Sequence, residues 1–143
     1  MRWSAQRCRA AFARARVARL ATADADGRPH LAPVVFALWR APDGGDTLAT
    51  AVDHKPKRTT ALRRLADIAA NPRVCLLADH YTEDWDRLWW VRAEGAARIT
   101  AAGPEHAEAV ARLRERYAPY RTTPPAGPAV LVSVDRWTGW SAR

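Results

Sequence analysis

Two lysines, Lys55 and Lys57, stand two residues apart in "AVDHKPKRTT", with Pro56 between them. The chain holds 23 basic residues, and all the others are arginine. Pro56 fixes its own φ and biases Lys55 towards an extended conformation. In an extended segment, residues two apart project to the same side. Both ammonium groups can therefore converge on one anion. A helix is expected to open near Thr59, which brings free N–H groups and a positive dipole end to the same place. Arg58, Arg63 and Arg64 extend the patch. The arrangement reads either as a phosphate cradle or as a solvated basic loop. Lysine is a compact charge on a flexible stem and arginine a rigid fork, so placing every lysine here favours the cradle.

A second cluster is "YTEDWDRLWWVR", which holds Trp85, Trp89 and Trp90 out of 7 tryptophans. Side chains of adjacent strand residues face opposite sides. One of Trp89 and Trp90 then enters the core and the other lies outside, where a subunit or a flat ligand would have to cover it. The alternative is that both are core or dimer residues. "DH" occurs twice, as Asp53-His54 and Asp79-His80, each after an apolar strand. A metal site needs three or four converging ligands, and these pairs read instead as polar strand ends at a ligand mouth; no metal is expected. Nucleophile elbows, zinc-protease helices, paired CxxC motifs, P-loops and GxGxxG turns are all missing from the sequence. No catalytic residue is assigned. An enzyme built on this chain would take its reactivity from a bound redox cofactor, with the protein supplying position and electrostatics.

The elements that must position these residues follow from hydrophobic periodicity. A length of 143 residues fits a single domain, 1–143, with a modest core. Hydrophobic residues make up 48% and charged residues 27%, ordinary for a globular chain. Apolar runs are too short to span a bilayer, and the basic start of the chain lacks the apolar segment of a secretory signal. Cys8 and Cys75 are too few for a disulfide framework, which fits a cytoplasmic protein; Cys75, inside "VCLLA", is expected to be buried. The net charge of +8 has two readings, arginine-rich composition or an anionic partner. The scattered arginines speak against nucleic acid.

Residues 3–16 read as a helix, "RVARLATAD" as a strand, and "DADGR" as a hairpin turn in which Gly27 supplies positive φ. Residues 29–39 form the returning strand and 47–52 the next, giving a three-stranded meander. "KRTTALRRLADIAANP" is a helix capped by Thr59 or Thr60, with Leu62, Leu65, Ile68 and Ala69 on one face, stopped by Asn71-Pro72. "RVCLLADHY" is a strand, and "DRLWWVRAEGAARIT" is a long one with a bulge at Gly95. A helix from Pro104, the loop "RTTPPAGP" and the strand "AVLVSVDRW" complete the chain. Six antiparallel strands with inserted helices make a mainly β, α+β chain and point to a closed or half-closed barrel.

The segments "RLATADADGRPHLAPVVFAL", "LATAVDHKPKRTT…NPRVCLLAD" and "LWWVRAEGAARI" resemble the pyridoxamine 5′-phosphate oxidase-like split β-barrel superfamily. "DHKPKRTTALRRL" and "DHYTEDWDRLWWVR" are similar to a subgroup that uses the deazaflavin coenzyme F-420 (8-hydroxy-5-deazaflavin). The resemblance implies an FMN-binding split-barrel fold and a homodimer with cofactor sites at the subunit interface. The ring would lie along Pro33, Val34 and Val35. The phosphate would meet Thr50, Ala51, Lys55 and Lys57, with Arg58 and Arg64 nearby. Which of Lys55, Lys57 and Arg64 is the main phosphate ligand stays open. Trp85, Trp89 or Trp90 would wall the ring, from the same subunit or the other. The activity implied is hydride transfer from reduced coenzyme F-420 to a small conjugated acceptor, with His54, His80 or Tyr81 available to assist. FMN is the alternative cofactor, and a non-catalytic flavin or deazaflavin carrier is the alternative role.

Overall fold

A computed structural model describes residues 1–52 and 58–143, with backbone alone for 58–62. In chain order the elements are α1 (Ala5–Arg14), β1 (Ala18–Ala23), β2 (Pro29–Val34), β3 (Ala37–Arg40), β4 (Asp46–Ala51), α2 (Arg58–Ala70) and β5 (Arg73–His80). A short 3-10 turn (Trp85–Arg87) precedes β6 (Trp89–Thr100), α3 (Pro104–Arg116), α4 (Ala118–Thr122) and β7 (Ala129–Ser141).

The strands form one antiparallel sheet in the order β2-β1-β5-β6-β7-β4-β3. Its two ends, β2 and β3, are consecutive in the chain with only Val35 and Phe36 between them. Six strand spacings in a flat sheet would hold these edges roughly 29 Å apart. Three residue steps reach only about 11 Å. The sheet must therefore roll until its edges approach, which makes a barrel split between β2 and β3.

The barrel interior is filled by Leu20, Phe36, Leu48, Leu76, Val91, Val130 and Val132. Helix α1 closes one side. Ser4 Oγ accepts from the Arg7 amide (3.2 Å) to start it. Its Phe12 ring packs 4.9 Å from Phe36 and 5.5 Å from Trp137. Asp46 ties α1 to the sheet by accepting from Arg9 Nε (2.6 Å) and Trp137 Nε1 (2.9 Å). Burial pushes this carboxyl up, but those two donors outweigh it and hold it below the usual carboxylate range. Helix α3 covers the outer face of β4 and β7, packing Ala109 on Ala49, Ala129 and Leu131.

The joint between β2 and β3 is held by one hydroxyl. Tyr117 Oη accepts from the Phe36 amide (3.1 Å). It also lies 3.0 Å from Phe36 O and 2.9 Å from Arg16 O, and its single proton serves one of them at a time. Phe36 belongs to no strand, so this side chain stands in for a ladder partner.

Several expectations are met: the positive φ at Gly27, the register shift at Glu94–Gly95, and the α2 stop at Asn71. Others are corrected. The expected strand 29–39 is two strands, so the sheet has seven rather than six, and the meander is a pair of hairpins at opposite ends of the order. Helix α2 begins at Arg58, so neither Thr59 nor Thr60 caps it. Ala69 is exposed. Cys75 is half-buried on the outer face, its thiol pushed up to about 11 first by burial and then by Glu94, whereas Cys8 is the fully buried cysteine. Strand β7 runs on to Ser141 because it pairs with β6 and with the first residues of the chain. The expected "RTTPPAGP" loop overlaps the end of α4. Among the described residues, no helix is long and apolar enough to cross a membrane.

Tyr117→Phe would strand the buried Phe36 amide. The expected loss is about 1–3 kcal/mol of folding stability, read as a lower urea midpoint with an unchanged slope.

Candidate functional site

Helix α2 lies against β1 and β6, with Leu65 and Ile68 turned to the barrel core. Its other face borders a cleft of about 250 Å³. Strand β1 contributes Leu20 and Thr22 to the cleft, and β2 contributes His30, Leu31 and Ala32. The helix contributes Arg63, Arg64 and Asp67. Asp67 is only 3% exposed. Its Oδ2 accepts from Thr22 Oγ1 (2.8 Å) and His30 Nδ1 (2.7 Å). An ionised carboxylate only accepts, so Nδ1 carries a proton and Nε2 is the ring atom left for other partners. Arg64 is half-buried, and burial holds its guanidinium below its usual range. Among the described residues no acid pairs with it.

The sequence-derived site residues fall into three groups. Lys55 and Lys57, with His54, lie outside the described residues, and only the backbone of Arg58 is described. Near the split, Pro33 is exposed, but Val34 turns its side chain into the core. Any contact between Val34 and a ligand on the other face of β2 is therefore through backbone. Val35 and Ala51 pack against the same cluster, formed by Ala37, Leu113 and Tyr117. Thr50 stands on the same face of β4 as the core residue Leu48. It is 1% exposed, and its Oγ1 has no hydrogen-bond partner among the described residues. A buried hydroxyl without a partner is unusual and asks for a missing one.

The tryptophans form the third group. Trp89 turns inward and stacks on Trp3 with centroids 5.7 Å apart. Trp90 faces out beneath Arg92, whose guanidinium carbon lies 5.2 Å from the ring centre. Trp85 is 68% exposed in the short 3-10 turn. Trp90 lies on β6, three strands from Pro33 in the sheet order, or roughly 14 Å at ordinary strand spacing. One chain therefore does not bring Trp90 against residues 33–35. His80 is half-buried at the end of β5 and Tyr81 is exposed.

Three residues of the cleft escaped sequence reasoning: Thr22, His30 and Asp67. His30 and Thr22 sit in strands read only for their apolar residues, and Asp67 sits in a helix read only for its apolar face. One signal was available. Asp67 is the sole acid in "KRTTALRRLADIAANP", flanked by alanine and isoleucine, where a solvent-facing helix would carry more polar neighbours.

The sequence profile of the pyridoxamine 5′-phosphate oxidase family matches residues 4–141. No curated protein sequence matches the chain. Solved structures with similar folds include an FAD-binding protein from Mesorhizobium loti, 20% identical, covering 97% of this chain and 95% of that one with a TM-score of 0.71. The FAD-binding protein from Mycobacterium smegmatis is 21% identical over 98% and 96% of the two chains, with a TM-score of 0.64. A heme storage protein from Vibrio cholerae is 15% identical over 95% and 90%, with a TM-score of 0.65. Identities this low speak to fold alone. The profile match spans nearly the whole barrel, from the residue that caps α1 to the last residue of β7, and on that match the chain belongs to the pyridoxamine 5′-phosphate oxidase family.

Proposed function

We propose that the chain is a cytoplasmic oxidoreductase that holds a phosphate-bearing flavin-type cofactor at the barrel split, and that this cofactor is reduced coenzyme F-420, which delivers hydride to a small conjugated acceptor. The observation that carries the reading is the unpartnered hydroxyl of Thr50. It sits at the end of β4, immediately ahead of the stretch that holds Lys55 and Lys57. A phosphate oxygen would accept from it, and two ammonium groups and the start of α2 would supply the remaining donors. Pro33 and Val35, with the backbone of Val34, would support the ring along the unpaired edge of β2. Ala51 and Arg58 would flank the phosphate. The longer, multiply charged deazaflavin suits a chain of net charge +8 better than a single phosphate does.

The cofactor supplies the hydride, and this chain's residues bind and orient it and keep water from the ring. Protonation of the product can come from solvent, with His80 or Tyr81 at the end of β5 as nearby donors. Trp90 walls the ring only if a second copy of the chain brings it there, which is the argument for a homodimer. The outer sheet face offers Leu31, Leu77, Trp90 and Trp140 for that contact, and Leu31 is 75% exposed. A second reading, an FMN or FAD enzyme of the same fold, is favoured by the two similar proteins named for FAD binding.

Titrating the purified protein with coenzyme F-420 and with FMN, following ring fluorescence, separates the two readings. Saturable deazaflavin quenching is expected. Tight FMN binding without it would decide for the flavin. Lys57→Ala and Lys55→Ala are expected to weaken cofactor binding by about 1–3 kcal/mol each, the worth of a hydrogen bond to a charged group. Affinity unchanged in both singles and in the double variant would overturn the cradle.

Thr50→Val should separate binding from folding. It removes a buried hydroxyl that lacks a partner, so the cofactor-free protein should gain about 1 kcal/mol while cofactor affinity falls by a similar amount. Denaturation and fluorescence titration of the same preparation check both signs. Trp90→Glu should yield a monomer in sedimentation that no longer binds cofactor. A stable dimer with normal affinity would remove Trp90 from the site.

A further inference from the structure

Thr50, the described residue of the proposed phosphate contacts, does not line the cleft between α2 and the β1–β2 hairpin. Among the described residues of its walls, helix α2 presents Arg63, Arg64 and Asp67 as charged or titratable groups, β2 presents His30, and β1 presents the neutral Thr22. Asp67 is fully engaged on one oxygen by Thr22 and His30 and faces a protein-bound donor on each side. Among the described residues two guanidinium groups stand against one carboxylate, and Arg64, half-buried, has no acid partner.

A partly desolvated cation without an anion is a costly arrangement unless something supplies one. Asp67 cannot supply it, because its resolved bonds run to the strands and not to Arg64. The remaining described residues of the wall, Leu20, Leu31 and Ala32, are apolar. A few converging polar groups in a mainly apolar concavity is the usual form of a small-molecule site. At about 250 Å³ the space suits a small ligand rather than a dinucleotide.

We propose that this cleft binds the carboxylate or phosphate group of a small molecule, gripped by Arg64, with His30 Nε2 as a second contact and Leu20 and Ala32 against its apolar part. Asp67 is the positioning residue: it fixes the imidazole through Nδ1 and so aims Nε2 at the ligand. Arg63, at the exposed rim, steers the anion in. The anion could belong to an acceptor substrate or to the tail of the cofactor, since both carry the same chemistry.

The probe is inorganic phosphate, followed by acetate, titrated into isotope-labelled full chain and read by NMR. Saturable shifts are expected at the Thr22 amide, the His30 ring and the Arg64 Nε. Arg64→Met keeps the apolar stem and should weaken phosphate binding at least tenfold; His30→Gln should weaken it several-fold. The wild-type shift map carries the test even if a variant fails to fold. No saturable shift at these three residues, or full affinity in a folded Arg64→Met, overturns the proposal. Repeating the titration with cofactor bound identifies the source. Competition assigns the anion to the cofactor, and undiminished phosphate binding assigns it to a separate substrate. The readout is confined to Thr22, His30 and Arg64 and is made with phosphate alone, so failure of the lysine cradle and failure of this site are told apart.

Discussion

Everything in this fold follows from the two-residue joint between β2 and β3. The chain leaves one edge of the sheet at Val34 and enters the other edge at Ala37. No flat sheet satisfies that connection, so the strands must coil, and the right-handed twist of antiparallel strands supplies the direction of coiling. Coiling brings seven strands around one core, yet leaves β2 and β3 unbonded to each other. Among the described residues their facing edges lack a strand neighbour, an arrangement that proteins cover, twist away or use. Tyr117 satisfies the joint itself by taking the Phe36 amide. Phe12 then packs on the Phe36 ring, and the Arg116 side chain lies over the same ring while donating to the Ala13 and Ala15 carbonyls. Helices α1 and α3 are thereby anchored at the split, and the edge of β2 there is built on packed structure instead of on a free loop.

Strand alternation then sorts the aromatic residues. Along β6, Trp89, Val91 and Ala93 face the core and Trp90 and Arg92 face out. Trp89 is covered by Trp3, whose indole donates to Ser141 Oγ (2.8 Å), so the first residues of the chain complete the end of the barrel. Trp90 has no such cover. Its cross-strand partner is Trp140, and the arginine above it shields only one face. Two indoles side by side on an outer sheet face form the kind of patch that a partner surface covers. The distance from Trp90 to Pro33 within one chain turns that surface from a stability question into a site question.

Much of the barrel was legible because its signals are local. Alternation located β1, apolar runs located β4, β5 and β6, a positive-φ glycine located the first hairpin, and Pro104 located the start of α3. The break in residues 29–39 was not legible, because "LAPVVFALW" is apolar throughout and shows no change of period at Phe36. What breaks it is Tyr117, 81 residues away along the chain. Cys75 misled for a related reason. An apolar run such as "VCLLA" hides which residues face in, and the parity is decided by Val74, Leu76 and Ala78 filling the core. The outward turn of Cys75 follows from register, which one strand alone does not reveal. Of the candidate site, the basic run in α2 singled out Arg64, whereas Thr22 and His30, common residue types inside apolar strands, gave no signal; the lysines lie outside the described residues.

The contrast between Asp67 and Arg64 shows how a long-range contact shapes a site. Residues three apart on a helix share a face, so the bond that draws Asp67 onto β1 and β2 also turns Arg64 towards the same strands. Leu65 and Ile68, on the neighbouring stripe, bury against the core and prevent the helix from rotating away. A buried carboxylate is tolerated because Thr22 and His30 both donate to it. The guanidinium one turn earlier receives no such compensation from the described residues. Replacing the carboxylate by an apolar group would release the imidazole and loosen the helix together. The position of Arg64 and the orientation of His30 are therefore set by one oxygen atom, and an anion in the cleft would meet both at once.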